Sequence, residues 1–436
     1  MKLITSFLIC FSWLGLAQHS IEGTFSPAED FSYAFIYKAT SDGAEYVDRA
    51  KLNASGTFTI TLDTSATAGI YKIVYAVPPE ENNFDFIYSG KEDVRFNFSL
   101  ENGVNFTTSD ENILWNSYLK SMDMVHQTIS NYYNTESKDQ TAFEQIFKTL
   151  KNTQTAYEEE AASKLVYTFI TSNRPYIPES YEDLSTYAEN LKANYFKNVD
   201  FGNPILQSSS FLSDRVMAYI FNMVNDPNND DYKTLVDDVA KAIPNDQNDI
   251  KSNLLNGVWQ VFVEKDNHDL ANYIADQYLI QLAQDTGNKA LEQSLRAYKN
   301  TSVGTKAPNF KLPLNAVDSL HDLEGSDYYL LVFWSSGCGH CLKELPRLKN
   351  IISNNKWVQV VAFGLENNKD SWESVIKKYP VFIHVLGLKK WDNSIVETYG
   401  ITATPTYFLL DKNKTIISKP YDVEAVEKVL KTLNTD

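Results

Sequence analysis

The 436-residue chain has only three cysteines, and one of them, Cys10, lies in an apolar leader at its start. The other two, Cys338 and Cys341, stand three positions apart, so no cysteine is left to staple distant segments and a structural disulfide framework is excluded. Positive charge is also scarce: 39 Lys and Arg against 56 Asp and Glu leave a formal net charge of −17. Phosphate backbones and anionic lipid would repel such a chain, which argues against nucleic acid as a partner. Metal ligands are short as well. Tetrahedral zinc takes four ligands, and neither a second Cys-x-x-Cys nor a close His pair accompanies the first. No nucleotide or haem motif is present, so no cofactor and no metal are expected.

Long apolar runs are missing too. Leu3 to Leu16 is the leader's hydrophobic stretch, shorter than the roughly 20 residues that a spanning helix needs. With Met1-Lys2 before it and Gly15-Leu16-Ala17 after it, the leader has the layout of a secretory signal, residues 1–17, with Gln18 as the mature N-terminus. If the signal were retained it would act as a membrane tether. Ile9 before Cys10 is not the small residue of a lipoprotein signal, so Cys10 is expected to leave with the peptide.

What remains is ample for folding. The chain is 43% hydrophobic and 22% charged, with 26 Tyr and 24 Phe for aromatic cores. Its length implies two or three domains of about 100 to 200 residues. Over 18–106 the dominant period is two. Phe58, Ile60 and Leu62 alternate with threonines; Tyr71, Ile73 and Tyr75 follow suit, as do Val94, Phe96, Phe98 and Leu100, with turn signals between. A small antiparallel β-sandwich is predicted.

Near Thr108 the period changes. Thr108 and Glu111 form a capping-box pattern ahead of Leu114, Tyr118, Met122, Val125 and Ile129, and helical stripes continue to about residue 300. The expected middle is all-α, residues 107–300, with its aromatics serving as core. From 301 the chain alternates again between buried strands, Tyr328 to Trp334, Val358 to Phe363 and Thr406 to Leu410, and helices at the dithiol, at Ser371 to Tyr379 and at Val423 to Leu433. That alternation predicts an α/β sheet over 301–436.

The chemistry sits in Phe333-Trp334-Ser335-Ser336-Gly337-Cys338-Gly339-His340-Cys341. Two thiols at a helix start can close into a small disulfide ring and reopen, and the helix N-terminal amides favour a thiolate on the first sulfur. Cys338 is therefore the expected attacking thiol and Cys341 the buried, resolving one. An imidazolium at His340 would stabilise the Cys338 thiolate and make the disulfide a stronger oxidant; otherwise His340 is an exposed neutral ring.

Residues 301–436 resemble the thioredoxin fold, and within it the TlpA-like thiol-disulfide oxidoreductases. The matching residues are Val303-Gly304, Ala307-Pro308-Asn309-Phe310, Val332-Phe333-Trp334 before the dithiol, Glu344-Leu345-Pro346 after it, and Tyr399-Gly400-Ile401-Thr402-Ala403-Thr404-Pro405-Thr406. More weakly, the preceding chain resembles exported thioredoxin-like proteins of Bacteroidota, with a β-rich and then a helical module of unknown function; Asn198-Val199-Asp200-Phe201 and Pro204-Ile205-Leu206 carry that likeness.

The resemblance implies that Pro405 is a cis-proline opposite the reactive sulfur and that the Thr404 backbone pairs with bound substrate; Trp334 is read as a platform packing below the active site and is grouped with the substrate-binding residues. Glu366, at the end of the second buried strand, would be an acid under the dithiol that moves the Cys341 proton; the alternative is a solvated carboxylate ahead of Asn367 and Asn368. Gly337 stands where a tryptophan is common. A thiol peroxidase would need a proline at Leu331. The function implied is a periplasmic oxidoreductase acting on disulfides of exported proteins, as a reductant fed by a membrane thiol-disulfide partner. A disulfide oxidase or isomerase is the alternative within the same chemistry, and a partner-binding scaffold with a secondary redox module the alternative outside it.

Overall fold

The computed structural model describes residues 18–41, 43–314 and 317–434. The signal peptide expected at 1–17, with Cys10, lies outside the described residues. The chain divides into two compact units: one holds the described residues up to 226 together with 241–250, the other holds 227–240 together with 251 onward.

The first unit begins with eight strands: β1 (Ser20–Ser26), β2 (Tyr33–Thr40), β3 (Gly43–Lys51), β4 (Thr57–Thr61), β5 (Gly69–Val74), β6 (Asn83–Tyr88), β7 (Val94–Ser99) and β8 (Gly103–Thr108). They form two four-stranded sheets, ordered β4-β1-β7-β8 and β3-β2-β5-β6. Period-two residues of both sheets, among them Ile21, Phe25, Phe58, Ile60, Ile36, Ile73, Phe86 and Phe96, meet in one aromatic-rich core. The sandwich is not wholly antiparallel, because β1 runs parallel to β7 while antiparallel to β4. A period of two tells which face a residue takes and is silent about the direction of its neighbour. Leu100, expected to extend β7, is instead exposed in the following turn.

Helices follow: α1 (Asp110–Asn134), α2 (Gln140–Ala161), α3 (Val166–Ser172), α4 (Leu184–Asn194), α5 (Pro204–Gln207), α6 (Phe211–Asn222), α7 (Asn229–Ala242), α8 (Asn248–Glu264), α9 (His268–Ile274), α10 (Ile280–Asp285) and α11 (Lys289–Asn300). The start of α1 differs from the capping box expected of Thr108 and Glu111. Ser109 is the N-cap residue, and the carboxylate of Glu92 accepts from the Asp110 amide at 2.8 Å. Glu111 is buried and serves another helix: its oxygens accept from the Leu165 and Val166 amides at 3.1 and 2.8 Å, at the start of α3. An acid buried beside two orphan amides is better satisfied there than at its own helix end.

In the second unit the sheet order is β11-β10-β9-β12-β13, with β9 (Tyr328–Trp334), β10 (Val358–Glu366), β11 (Ile383–Leu388), β12 (Thr406–Asp411) and β13 (Ile416–Ser418). The first three are mutually parallel, while β12 is antiparallel to both β9 and β13. Helices α12 (Gly339–Ser353), α13 (Asp370–Ile376), α14 (Ser394–Tyr399) and α15 (Val423–Leu433) complete it. Successive residues of β9 feed two separate cores, Leu331 and Phe333 on one face and Leu330, Val332 and Trp334 on the other, as a doubly covered strand must. The β-rich, helical and α/β succession is the one expected; β11 was not anticipated. It is an edge strand, only partly buried and interrupted by His384 and Gly387, so it lacks the apolar run that marks β9 and β10.

Candidate active site

Strand β9 ends at Trp334, and the chain turns through Ser335–Gly337 into α12. Cys338 is the N-cap residue of that helix, in an extended backbone conformation, and its Sγ accepts from the Cys341 amide at 3.1 Å. The cap role normally filled by an oxygen is here filled by sulfur, so one orphan amide of the helix points at the reactive atom. The two cysteines are joined as a disulfide, with Cα atoms 5.3 Å apart. Cys341 has no exposed surface, whereas Cys338 is partly exposed. This asymmetry agrees with attack at Cys338 and resolution by Cys341.

Opposite the dithiol, the Thr404–Pro405 peptide is cis, and the Thr404 carbonyl oxygen lies 3.3 Å from the Cys338 Sγ. The loop is reached from α14 through Gly400, at φ +62°, whose missing Cβ would stand 3.0 Å from the Ala297 Cβ of α11. Glycine meets both demands at that point. Tyr399 anchors the same end of α14 by donating to the Pro308 carbonyl at 2.5 Å.

Trp334 is completely buried, packed among Val332, Cys341 and Leu345. It is a platform under the site and has no surface with which to meet substrate, so the substrate-binding role given to it does not fit. Glu366 is buried at the end of β10, and both of its oxygens are engaged by Ser336, one by the amide and the other by Oγ at 2.9 Å. It is not a solvated carboxylate, and among its described hydrogen bonds none goes to Cys341. Its visible work is to hold the turn that delivers Cys338.

His340 is exposed, and its Nε2 lies 3.1 Å from Oε1 of Glu344, one turn along α12. Glu344 is itself buried, and its Oε2 accepts from the Tyr407 hydroxyl at 2.6 Å. Burial, then the Glu344 carboxylate, push the Tyr407 phenol far above its ordinary value, so it stays a donor. Glu344 is a site residue that the sequence reading named only among the residues carrying the resemblance and gave no role. Its signal was available: a carboxylate four residues after His340 on a helix shares its face.

Beside this site, Ser335, Ser336, Gly337, Glu366, Asn367 and Lys390 are among the residues around a recess of about 200 Å³. A larger cleft of about 960 Å³ belongs to the first unit. Among the described residues no group of three or more His, Cys, Asp or Glu is placed to hold a metal ion, and no helix is long and apolar enough to cross a membrane.

Comparison with known proteins bears on the C-terminal part of the chain. Residues 325–416 match the family described as Thioredoxin-like. A thiol-disulfide oxidoreductase named ResA from Bacillus thuringiensis is 29% identical over 122 residues, covering 27% of this chain and 68% of that protein. The thiol:disulfide interchange protein DsbE of Xylella fastidiosa is 32% identical over 127 residues, covering 27% of this chain and 62% of that protein. Among solved structures, a domain of a possible thiol-disulfide isomerase from Cytophaga hutchinsonii is 33% identical, covers 31% of this chain and 97% of its own, and has a TM-score of 0.27.

Proposed function

We propose that this chain, whose C-terminal domain is a thioredoxin-like thiol-disulfide oxidoreductase domain with a close Cys338–Cys341 pair, acts in the periplasm as a reductant of disulfides in exported proteins. The observation that carries the reading is the placement of Cys338: partly exposed, its Sγ accepting from the Cys341 amide, and 3.3 Å from the carbonyl that precedes cis-Pro405. The composition of residues 1–17 supports export.

In the reducing direction the Cys338 thiolate attacks one sulfur of the substrate disulfide. A mixed disulfide forms and the second substrate sulfur leaves as a thiolate, which takes up a proton. Cys341, deprotonated, then attacks the Cys338 sulfur, restoring the internal disulfide and releasing the first substrate thiol. Two electrons have passed to the substrate, and a thiol-disulfide partner in the membrane would return them, because the periplasm offers no thiol pool. Substrate backbone would lie along Thr404 and Pro405.

An oxidase or isomerase is the second reading, and the observation favouring it is His340 between the cysteines. Its Nε2 lies 3.1 Å from the buried Glu344 carboxylate, a contact that holds the ring on the dithiol's own helix. A scaffold reading rests on the cleft in the first unit, bordered by Lys72, Asp85, Trp115 and Arg215 and large enough for a segment of a partner. Equilibration of the Cys338/Cys341 pair with glutathione separates the first two readings. A potential near about −270 mV supports the reductant, and one between about −180 and −120 mV overturns it in favour of the oxidase or isomerase.

A further inference from the structure

Glu366 lies at the end of β10, opposite Leu388 of β11 in the sheet register. The chain then leaves β11 through Lys389 and Lys390, which have φ values of +72° and +45°. Two successive non-glycine residues in the left-handed region are sterically disfavoured, and strain of this kind gathers where a side chain must be held in a particular place. The turn carries Lys390 to the recess beside the dithiol. Lys390 is partly buried there, and no ion pair or hydrogen bond engages its ammonium among the described residues.

The other wall comes from the active-site turn. Ser336 and Gly337 stand immediately before Cys338, and Gly337 leaves the mouth open where any larger side chain would narrow it; only the Ser335 hydroxyl lies within 4 Å of the place of its missing Cβ. The one acid in the lining, Glu366, has both oxygens taken by Ser336. Asn368 uses its side-chain oxygen to accept from the Asp370 amide, which leaves its NH2 group to donate. Beside the Ser336-bound Glu366, the recess thus offers the Lys390 ammonium, the side-chain amides of Asn367 and Asn368 and serine hydroxyls, a cation with donors on a chain whose net charge is −17.

We propose that this recess is a specificity subsite for thiol-disulfide exchange, taking a carboxylate side chain next to the reactive cysteine of an acidic substrate segment, with Lys390 as its counter-charge. The proposal rests on the exchange reaction proposed above and adds a substrate preference to it. Exchange itself runs as already written; the subsite acts before the sulfur–sulfur bond breaks, by holding the substrate with its disulfide against Cys338.

The test uses the reduced full-length chain and three synthetic peptides that differ only in the residue beside a single cysteine: Glu, Gln or Lys. Each carries a chromogenic thiol on its cysteine through a disulfide, and release of the reporter thiolate gives kcat/KM. The Glu peptide is expected to exceed the Gln peptide by about two- to fivefold at low ionic strength, as a partly exposed ion pair allows, and the advantage should fade in high salt. Lys390→Asn, which tolerates the left-handed backbone, should bring the Glu/Gln ratio to one, and Lys390→Glu should turn the preference towards the Lys peptide. A ratio of one in the unaltered chain, or a ratio that survives both substitutions, overturns the subsite while leaving exchange standing. No release from any of the three peptides overturns the exchange reading, and the subsite with it.

Discussion

Cys338 and Cys341 are chemically the same residue, made different by a few ångströms of surroundings. One caps a helix and reaches solvent; the other is sealed in a core with Trp334 and Leu345. Cys338→Ser is accordingly expected to abolish exchange with peptide disulfides, whereas Cys341→Ser should accumulate a mixed disulfide seen as a mass increase equal to the bound peptide. Accumulation in the Cys338 variant instead would reverse the assigned roles. Glu366 belongs to the same scale. Glu366→Ala leaves the partly buried Ser336 amide without its acceptor, a loss of about 1 kcal/mol in unfolding free energy, and urea titration of the reduced chain measures it. His384 adds a pH dependence. Burial in β11 lowers its affinity for protons, partly offset by the Tyr379 carbonyl 2.8 Å from its Nε2. The unfolded chain then binds the proton more readily than the folded one, so stability is fully present above about pH 6.5 and falls as pH drops through that value. The difference in urea midpoint between the natural chain and His384→Gln should therefore change between pH 7.5 and 5.5, the natural chain losing more; parallel curves would show that His384 contributes nothing.

At the scale of elements, strand ends and helix ends are closed by side chains from elsewhere in the sequence. Strand β6 is the edge of its sheet, and at Ile87 the amide of Asn112 substitutes for a neighbouring strand, accepting from the Ile87 N–H at 2.8 Å and donating to its carbonyl at 2.7 Å. That pairing fastens α1 to the sandwich and blunts an edge that would otherwise be free to pair. Asn112→Ala should cost about 1–3 kcal/mol and speed amide exchange at Ile87 in particular. Uniform loss across β6 would mean that the helix as a whole, and not this one amide, guards the edge. The Glu111 carboxylate does for α3 what Glu92 does for α1.

At the scale of the molecule, the dithiol's unit extends upstream of residue 301. Helix α11 lies against α14, Ser302 Oγ donates to the Asn272 side chain at 3.4 Å, and the Lys419 ammonium stands 5.6 Å from the centre of the Tyr298 ring. A fragment of residues 251–436 should therefore melt higher than one of 301–436, by roughly 5 °C or more. Equal melting temperatures would show that the α/β sheet needs no support from α11, and that the loop bearing Pro405 is held by its own domain.

Much of this protein was determined by sequence alone: the alternation of strand and helix over 301–436, the period-two pattern of the sandwich, and the identity of the reacting pair. These are local properties, since a Cys-x-x-Cys dithiol needs only four positions and a strand only its own period. Tertiary structure decided the rest. That β1 runs parallel to β7, that Glu111 caps α3 and not α1, that Glu366 grips Ser336, and that the turn after β11 brings Lys390 to the recess all depend on residues brought together across long separations in the chain. Burial assigns partners to such groups only once the whole core has closed, because a polar atom taken from water bonds whatever the fold sets beside it.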